Sequence, residues 1–282
     1  MTDRERPTVA LLTDFGTRDA YPGIVKGVLA SRAPDARLID LTHEIPAGDV
    51  RAAAFVLWQA LPYLPAGSVC LAVVDPGVGT QRRPIALRLP NGFGVGPDNG
   101  LFSWVLSWGD ALDAVEIDPA RLSPATPSAT FHGRDVFAPA AARLALGAPL
   151  SDLGPPQDDI VRLPTPGFTR IAGGVAGEIV WIDSFGNAVT SLGNLRLSGD
   201  RAELTPCWHP QPATSFRAAV ARLALGSGIV LPLSRTFADV PAGEPLAYVG
   251  SSGLIEIGIH RGRADTGLSL APGQAVTLLF EG

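Results

Sequence analysis

Two aspartates stand directly after strongly apolar segments, where the end of a buried strand would place them. Asp14 follows residues 8–13 and Asp75 follows residues 69–74, and a glycine-bearing turn comes next in both cases. Ligands of an open α/β sheet bind outside the carboxyl ends of its strands, and glycines there let the backbone approach a ligand closely. A carboxylate can accept hydrogen bonds from both hydroxyls of a ribose. The two positions together therefore favour a ligand site, and a nucleoside is a ligand that would suit it without being identified by it, whereas one such Asp alone is equally typical of an ordinary turn.

The glycines after these strands do not form a phosphate-binding loop. Gly77 and Gly79 lack the third glycine of the dinucleotide fingerprint at the required spacing, and no Gly-Lys-Ser/Thr follows them. The sequence therefore carries neither of these two phosphate-binding motifs.

A histidine and two arginines are the next groups that could act on a ligand. His132 precedes a predicted helix, whose dipole favours a neutral imidazole that could act as a base or hold a water. The alternative is that His132 only bonds a loop backbone and that Asp135 caps the helix. Arg82 and Arg83 follow Asp75 closely, and a guanidinium there would keep the acid ionised and polarise a bound water. Spacing does not decide which arginine does so, and we expect the other to be solvated.

Polar residues of the second half have a more ambiguous pattern. Asp183 and Asn187 flank a tight turn, where the acid could bind an ammonium group and the amide could bind the edge of a base. An Asx turn in a hairpin explains the same spacing. Ser251, before the apolar run that contains Glu256, has the same ambiguity. The other three histidines are expected to be surface or structural residues: His43, His209 and His260.

The first half alternates strand and helix patterns, which favours a mostly parallel sheet covered on both faces. Strands are predicted at residues 8–14, 37–41, 69–74 and 85–89, and helices at 23–33, 49–60, 101–108 and 135–146, with Asp49 as the cap of the second helix. The fold class is therefore α/β in this half.

The second half consists of short β-like runs separated by Gly and Pro clusters, a pattern typical of a small β-barrel or sandwich. Strands are predicted at residues 177–183, 188–192, 244–249, 254–259 and 275–280, and one helix at 217–225. The segment 163–168, rich in Pro, is typical of a linker. It divides the chain into an N-terminal domain, residues 1–165, and a C-terminal domain, residues 166–282.

Composition excludes several other classes of protein. The 282 residues are 46% hydrophobic and 17% charged, with a net charge of −5, so nucleic acid is not an expected partner. Residues 1–7 lack the apolar core of a secretory signal, and the apolar run 52–64 is too short to span a membrane. Cys70 and Cys207 form neither a disulfide framework nor a zinc cluster. Together these features predict a cytoplasmic protein with no membrane partner.

Six segments together resemble one family, the S-adenosylmethionine (SAM) hydrolases, also called SAM hydroxide adenosyltransferases, which are relatives of the fluorinase and chlorinase. The resemblance runs from about Val9 to Phe280, and residues 73–80 (VVDPGVGT) and 131–135 (FHGRD) are its specific segments. The others are LTDFG at 12–16, DLTHEIP at 40–46, GPDNG at 96–100 and DSFGN at 183–187.

The resemblance implies a Rossmann-like N-terminal domain, a C-terminal β-barrel and a homotrimer whose sites lie between subunits. It implies that SAM and water give adenosine and L-methionine, with no cofactor and no metal. The resemblance implies that the water is handled by Asp75, Arg82 and His132, and that Asp14 holds the ribose hydroxyls. Asp19 and Asp183 meet the methionine amino group. The residues that surround the adenine are then Asn187, Ser251, Glu256 and the Ile259 backbone, with Phe237 packed nearby.

Two other functions remain open at this point. One is a halide-dependent adenosyltransferase; in those relatives the Asp75 position is non-acidic and the Gly133 position is Ser, whereas a carboxylate repels halide. The other is a module that binds SAM or adenosine without turnover. The presence of Asp75, Arg82 and His132 together argues against it, since a binder has no use for water activation. One departure from the family is Gly250-Ser251-Ser252, where members often have Asn-Ser-Phe.

Overall fold

The computed structural model describes residues 6–106, 113–123 and 125–280. Most of the N-terminal stretch 1–7 and the end of the predicted helix 101–108 lie outside these residues. The chain forms two compact units, Met1–Pro164 and Thr165–Gly282. Each unit has its own buried core.

The first unit is built on a six-stranded sheet with the order β2-β1-β3-β5-β4-β6. Its strands are β1 (Thr8–Thr13), β2 (Arg37–Thr42), β3 (Ser68–Val73), β4 (Pro84–Leu89), β5 (Gly92–Pro97) and β6 (Ala114–Glu116). The strands β2, β1, β3 and β5 pair in parallel, and β4 is antiparallel to both of its neighbours. The predicted mostly parallel sheet is therefore confirmed, and the β4–β5 hairpin is an addition that the patterning did not reveal.

Helices cover this sheet. They are α1 (Tyr21–Arg32), α2 (Val50–Ala60), the short α3 (Pro119–Leu122) and α4 (Ala138–Ala145), and a π-helical turn, Gly133–Phe137, leads into α4. Asp49 caps α2 as predicted, since its Oδ1 accepts the Ala52 N–H at 2.9 Å. Residues 101–105 form successive turns instead of the predicted helix. Within the described residues, no helix is long and apolar enough to cross a membrane.

The core of the first unit explains why β1 and β3 are apolar throughout. Every residue of both strands is buried, which is the pattern of a parallel strand covered on both faces. Val9 and Leu11 share one face with Leu71, and this face packs against Leu29 of α1 and Ala141 of α4 in a single cluster. The ends of β1 and β3 are therefore held rigidly, together with whatever follows them.

The second unit is a β-barrel of seven strands with three more strands extending its wall. The strands are β7 (Phe168–Ile171), β8 (Gly174–Ile182), β9 (Ala188–Ser198), β10 (Arg201–Thr205), β11 (Thr214–Arg217), β12 (Arg222–Leu225), β13 (Val230–Ser234), β14 (Pro245–Val249), β15 (Leu254–Ile259) and β16 (Ala275–Leu279), with one short helix, α5 (Ala264–Gly267). The closed ring runs β8-β9-β15-β14-β13-β12-β16 and returns to β8. This confirms the barrel, the first of the two architectures that the pattern favoured.

The predicted helix at residues 217–225 is wrong. This segment is the end of β11, a 3₁₀ turn at Ala218–Val220 and strand β12. Leu223 and Leu225 are buried and alternate with the exposed Arg222, a period of two that suits a strand. Ala, Leu and Arg favour helices as isolated residues, but pairing with β13 and β16 closes the barrel and overrides that preference.

Both cysteines are free thiols, and burial keeps them protonated. Desolvation raises the pKa of Cys70 to about 12 and that of Cys207 to about 11. Because the thiolate is the nucleophilic form, neither side chain is suited to attack a substrate at neutral pH.

Candidate active site

The register of the first sheet brings two of the predicted acids to one edge. Strands β1 and β3 are parallel neighbours, with Thr13 opposite Val73. Asp14 follows the first of these residues directly, and Asp75 follows the second by two positions. Both side chains therefore leave the sheet at its carboxyl edge, where α/β proteins bind ligands.

Asp75, Arg82 and His132 form one hydrogen-bonded group. Arg82 Nε donates to Oδ1 and Oδ2 of Asp75 at 2.9 and 3.0 Å, and Arg82 Nη2 also donates to Asp75 Oδ2. The same Nη2 lies 2.9 Å from His132 Nδ1. A guanidinium has only donors, so this His132 nitrogen accepts and the proton of the neutral ring lies on Nε2. The sequence interpretation named these three residues, and the fold brings them together.

This group is largely withdrawn from solvent. The side chains of Asp75 and Arg82 are 6% and 10% exposed. Arg82 Cζ lies 5.1 Å from the centre of the Phe137 ring, close enough for a cation–π contact. Arg82 Nη1 is buried and has no hydrogen-bond partner among the described residues. One buried donor of the guanidinium therefore remains unpaired within the described residues.

The environment of His132 favours its uncharged form. Burial lowers the pKa of His132 below its ordinary value of 6.5, and the Arg82 charge lowers it further, against smaller opposite effects of Asp75 and Asp135. The imidazole lies at the start of the π-helical turn, where a helix dipole acts in the same direction. His132 is therefore neutral near pH 7.

Arg83 and Asp135 do not have the roles that seemed open for them. Arg83 is not simply solvated, since its Nε donates to Oδ2 of the buried Asp98 at 2.8 Å. Asp135 does not cap a helix through its side chain. Its carboxylate accepts from Arg134 and from the Ser128 N–H, because the segment before the π-helical turn folds back onto it.

Asp14 is held by the loop that follows β2. Its Oδ2 accepts the Gly48 N–H at 2.8 Å. The buried His43 lies 2.8 Å from Thr13 Oγ1 and 3.1 Å from Asp40 Oδ1, so it ties this loop to the end of β1. His43 is thus structural, one of the two predicted outcomes. Asp19 lies exposed just before α1.

In the second unit, Asp183 and Asn187 form the Asx turn that was the simpler interpretation of their spacing. Asp183 Oδ1 accepts the backbone N–H groups of Phe185 and Asn187 at 2.9 and 2.8 Å. Asp183 Oδ2 accepts from Asn187 Nδ2 at 2.9 Å. The turn leaves Asn187 Oδ1 and the remaining lone pairs of the carboxylate for other partners.

Asn187 belongs to a buried polar group around Gly258. A side-chain carbon at Gly258 would lie 2.7 Å from Phe237, 3.0 Å from Asn187 Oδ1 and 3.1 Å from Tyr248, so these three residues surround it. Tyr248 donates its hydroxyl to Glu256 Oε2 at 2.6 Å. Five polar or aromatic residues are therefore grouped here: Asp183, Asn187, Phe237, Tyr248 and Glu256.

The sequence interpretation missed Tyr248. Tyr248 lies opposite Glu256 in the pairing of β14 with β15. This cross-strand register, which would have revealed Tyr248, is defined only by the folded structure. Burial raises the pKa of Glu256, and the nearby Asp183 charge adds to this, while burial and Glu256 raise the pKa of Tyr248. The hydroxyl consequently stays protonated and is a permanent donor to the carboxylate.

The other two predicted residues of this half lie before β15 and at its last position. Ser251 is exposed in the turn before the strand. The Ile259 carbonyl at the other end accepts the Gly262 N–H at 3.0 Å. Gly250 has a steric role that the pattern did not reveal, because a side-chain carbon there would lie 1.8 Å from Glu256 Oε1.

A charged group lies at the carboxyl edge of a mostly parallel sheet, and a polar group lies on a β-barrel, so the chain combines an α/β unit with a barrel unit. Residues 9–154 match the SAM hydroxide adenosyltransferase N-terminal domain, and residues 177–277 match the C-terminal domain of that name. The chain belongs to the SAM hydroxide adenosyltransferase family.

Individual relatives agree with this assignment. The chain is 45% identical over 284 residues to the (R)-S-adenosyl-L-methionine hydrolase of Thermus thermophilus, covering 96% of this chain and 99% of the relative. A fluorinase from an Actinoplanes species is more distant, with 29% identity over 302 residues and coverage of 96% and 97%. A crystal structure of an uncharacterized conserved protein from Thermotoga maritima superposes with a TM-score of 0.82 at 33% identity, covering 96% of this chain and 99% of that one.

Removing the Arg82 guanidinium should destabilise the protein strongly. The change Arg82→Met leaves the buried Asp75 charge without its partner, which costs about 3–5 kcal/mol in buried pairs. Arg217 is a matched control, since it pairs with Asp200 at 2.9 Å but both side chains are largely exposed. Arg217→Met should cost about 0–1 kcal/mol. Urea unfolding of the three proteins measures this, and equal losses in the two variants would contradict a buried ion pair.

Proposed function

We propose that this chain hydrolyses S-adenosyl-L-methionine to adenosine and L-methionine, with water as the nucleophile at C5′. The observation that carries the proposal is the contact of Asp75, Arg82 and His132 at the carboxyl edge of the sheet. Family membership and the name of the Thermus relative support the same reaction.

The chemistry needs positioning of water more than help for the leaving group. The C5′–S bond breaks with its electron pair moving to the positive sulfur, so methionine leaves as a neutral thioether. Water is a poor nucleophile that must approach C5′ opposite the sulfur, and alignment can lower such a barrier by several kcal/mol. The proposal therefore includes no metal and no organic cofactor, and SAM is the substrate.

The hydrogen bonds of the three residues suggest how the roles divide. Arg82 Nη1 is a free donor that can bind the water oxygen. His132 uses Nδ1 to accept from Arg82, so its Nε2–H can only orient the water by donating to it. Asp75 is then the group that accepts the proton as the new C5′–O bond forms, and general bases of this kind contribute about 10²–10⁴-fold.

The remaining substrate contacts follow the resemblance and the chemistry of each group. Asp14 accepts from the ribose hydroxyls, and Asp19 and Asp183 attract the methionine ammonium. The adenine lies against Phe237 and bonds Asn187, Glu256, Ser251 and the backbone at Ile259. Tyr248 belongs with this set, because its hydroxyl orients the Glu256 carboxylate.

The decisive experiment is to incubate the purified protein with SAM in water enriched in heavy oxygen. We expect adenosine that carries the label in its 5′-hydroxyl, together with unlabelled methionine. Both sulfonium epimers should be tested, because the relative is named for the R form. Asp75→Asn should lower kcat at least about 10²-fold. Unlabelled adenosine would contradict direct attack by water, and an inert wild-type protein would contradict the function.

The same assay separates the two other functions. Chloride-dependent formation of 5′-chloroadenosine would identify a halide-using enzyme, which the Asp75 carboxylate disfavours by repulsion. Tight SAM binding without product over hours would identify a binding module. Dialysis against EDTA should leave the rate unchanged. A loss of activity that added metal restores would contradict the proposal that the reaction needs no metal.

The activity should depend on the protonation of His132. Because burial and Arg82 lower the pKa of His132, the ring is neutral at pH 7, and protonation would break its acceptor bond to Arg82. We expect kcat/KM to be flat from pH 8 to about 6.5 and to fall at lower pH, with a midpoint below 6.5. In His132→Gln the rate should be lower, and the fall of kcat/KM at low pH should be absent. A midpoint above 6.5 would contradict the assignment.

We also propose that the protein is a cytoplasmic homotrimer whose sites form between copies. The support is that the water-handling group lies in the first unit and the barrel carries a separate polar group, so two half-sites need a fixed relation that a closed ring supplies. The two free cysteines suit a reducing compartment.

Mixing two inactive variants tests this assembly. Co-expressed Asp75→Asn and Asn187→Ala chains should regain activity, since a shared site can combine the intact half of each copy. Each variant alone serves as the control. Sedimentation should give a mass about three times that of one chain. No recovery in mixed oligomers would place both halves of the site in one chain, and a mass of one or two chains would exclude the trimer.

A further inference from the structure

The segment GPDNG, residues 96–100, has no role in the reaction as described above. Asp98 and Asn99 follow β5, which is the parallel neighbour of β3. They therefore emerge at the same edge of the sheet as Asp75, one strand further along. Both side chains point back toward the loop that joins β3 to β4.

Asn99 holds the backbone just before Asp75. Its Nδ2 donates to the Val74 carbonyl at 2.8 Å, and its Oδ1 accepts the Leu101 N–H at 3.2 Å. Val74 is the residue directly before Asp75. The amide thus ties the entry of the β3–β4 loop to the turn that follows β5.

Asp98 holds the backbone just after Arg82. Its N–H donates to the Arg83 carbonyl at 2.9 Å, and its buried carboxylate accepts from Arg83 Nε at 2.8 Å. The other carboxylate oxygen accepts the Val161 N–H at 2.8 Å. Asp98, the residue next to Asn99, therefore holds the other end of the β3–β4 loop.

We propose that Asp98 and Asn99 are positioning residues that clamp both ends of the β3–β4 loop and so set the Asp75–Arg82 geometry for hydrolysis. This inference rests on the proposed function. Asp75 and Arg82 are seven positions apart on a loop that contains Pro76, Gly77 and Gly79, and their own ion pair does not fix the loop against the sheet. A displacement of about 1 Å in such a group can cost about 10²-fold in rate.

The test compares two asparagines that make the same kind of bond. Asn91 Nδ2 donates to the Leu64 carbonyl at 2.6 Å. Leu64 precedes β3, whereas the Asn99 partner Val74 follows it, and both asparagines are half-buried. Asn99→Ala should lower kcat about 10- to 100-fold with KM changed less than about twofold. Asn91→Ala should keep kcat within about twofold, while both variants lose similar thermal stability.

A second readout does not require turnover. NMR titration of the His132 ring should show a pKa closer to 6.5 in Asn99→Ala, since a displaced Arg82 opposes protonation less, and no change in Asn91→Ala. In the Asp75→Asn background, Asn99→Ala should cost much less than in the wild type, because residues that act as one unit are not additive.

A conservative change tests the Asp98 half of the clamp. Arg83→Lys keeps the positive charge beside Asp98 but loses the planar donor, so kcat should fall with KM unchanged. Arg88, which pairs with Asp113 on the surface, is the control, and Arg88→Lys should have no effect.

Three results would overturn the inference: unchanged kcat and His132 titration in Asn99→Ala, equal loss of kcat in Asn91→Ala, or a loss that lies in KM. A wild-type protein that does not hydrolyse SAM would instead refute the proposed function. In that case the titration still decides whether the clamp sets the position of Arg82.

Discussion

The buried pairing of Arg82 with Asp75 is the interaction on which the first unit depends. A carboxylate and a guanidinium that are almost out of solvent are costly to desolvate, and only good geometry offsets that cost. The sheet provides the geometry: β3 leads to the acid, the loop to β4 carries the cation, and the turn after β5 braces both. His132 completes the arrangement from the entry of α4, whose π-helical turn places the ring beside Arg82. Strand order, loop length and helix entry together bring these three side chains into contact.

The two units control charge by different means. In the first unit, burial and then the Arg82 charge lower the pKa of His132, so the neutral imidazole is favoured over the charged one. The barrel places Glu256 near Asp183, where burial and like charge favour the protonated carboxyl, and Tyr248 partly offsets this through its hydroxyl. The first unit thus combines a buried ion pair with a neutral imidazole. The second brings a carboxyl group, an amide and aromatic rings together in one group.

The sequence predicted those features that periodicity or local chemistry determines. Apolar runs that end in Asp located the edge of the sheet, because burial on both faces leaves few other patterns, and Asp49 marked a helix start. Features that depend on pairing across the fold were not predictable in this way. Arg82 and Arg83 are adjacent, so their spacing from Asp75 does not separate their roles, whereas the contacts of Arg82 with Asp75 and of Arg83 with Asp98 do. Tyr248 acquires its partner from strand register, and residues 217–225 become a strand only because the barrel must close.

The π-helical turn at Gly133–Phe137 makes the position of His132 sensitive to the length of the chain at this point. A wide turn accommodates one more residue than an α-helical turn, and such insertions are frequent at functional sites. Deleting that residue would restore ordinary helical winding and rotate everything before it by about 100° around the axis. The imidazole would then face away from the guanidinium. The length of the chain at this turn therefore decides whether the imidazole contacts the guanidinium.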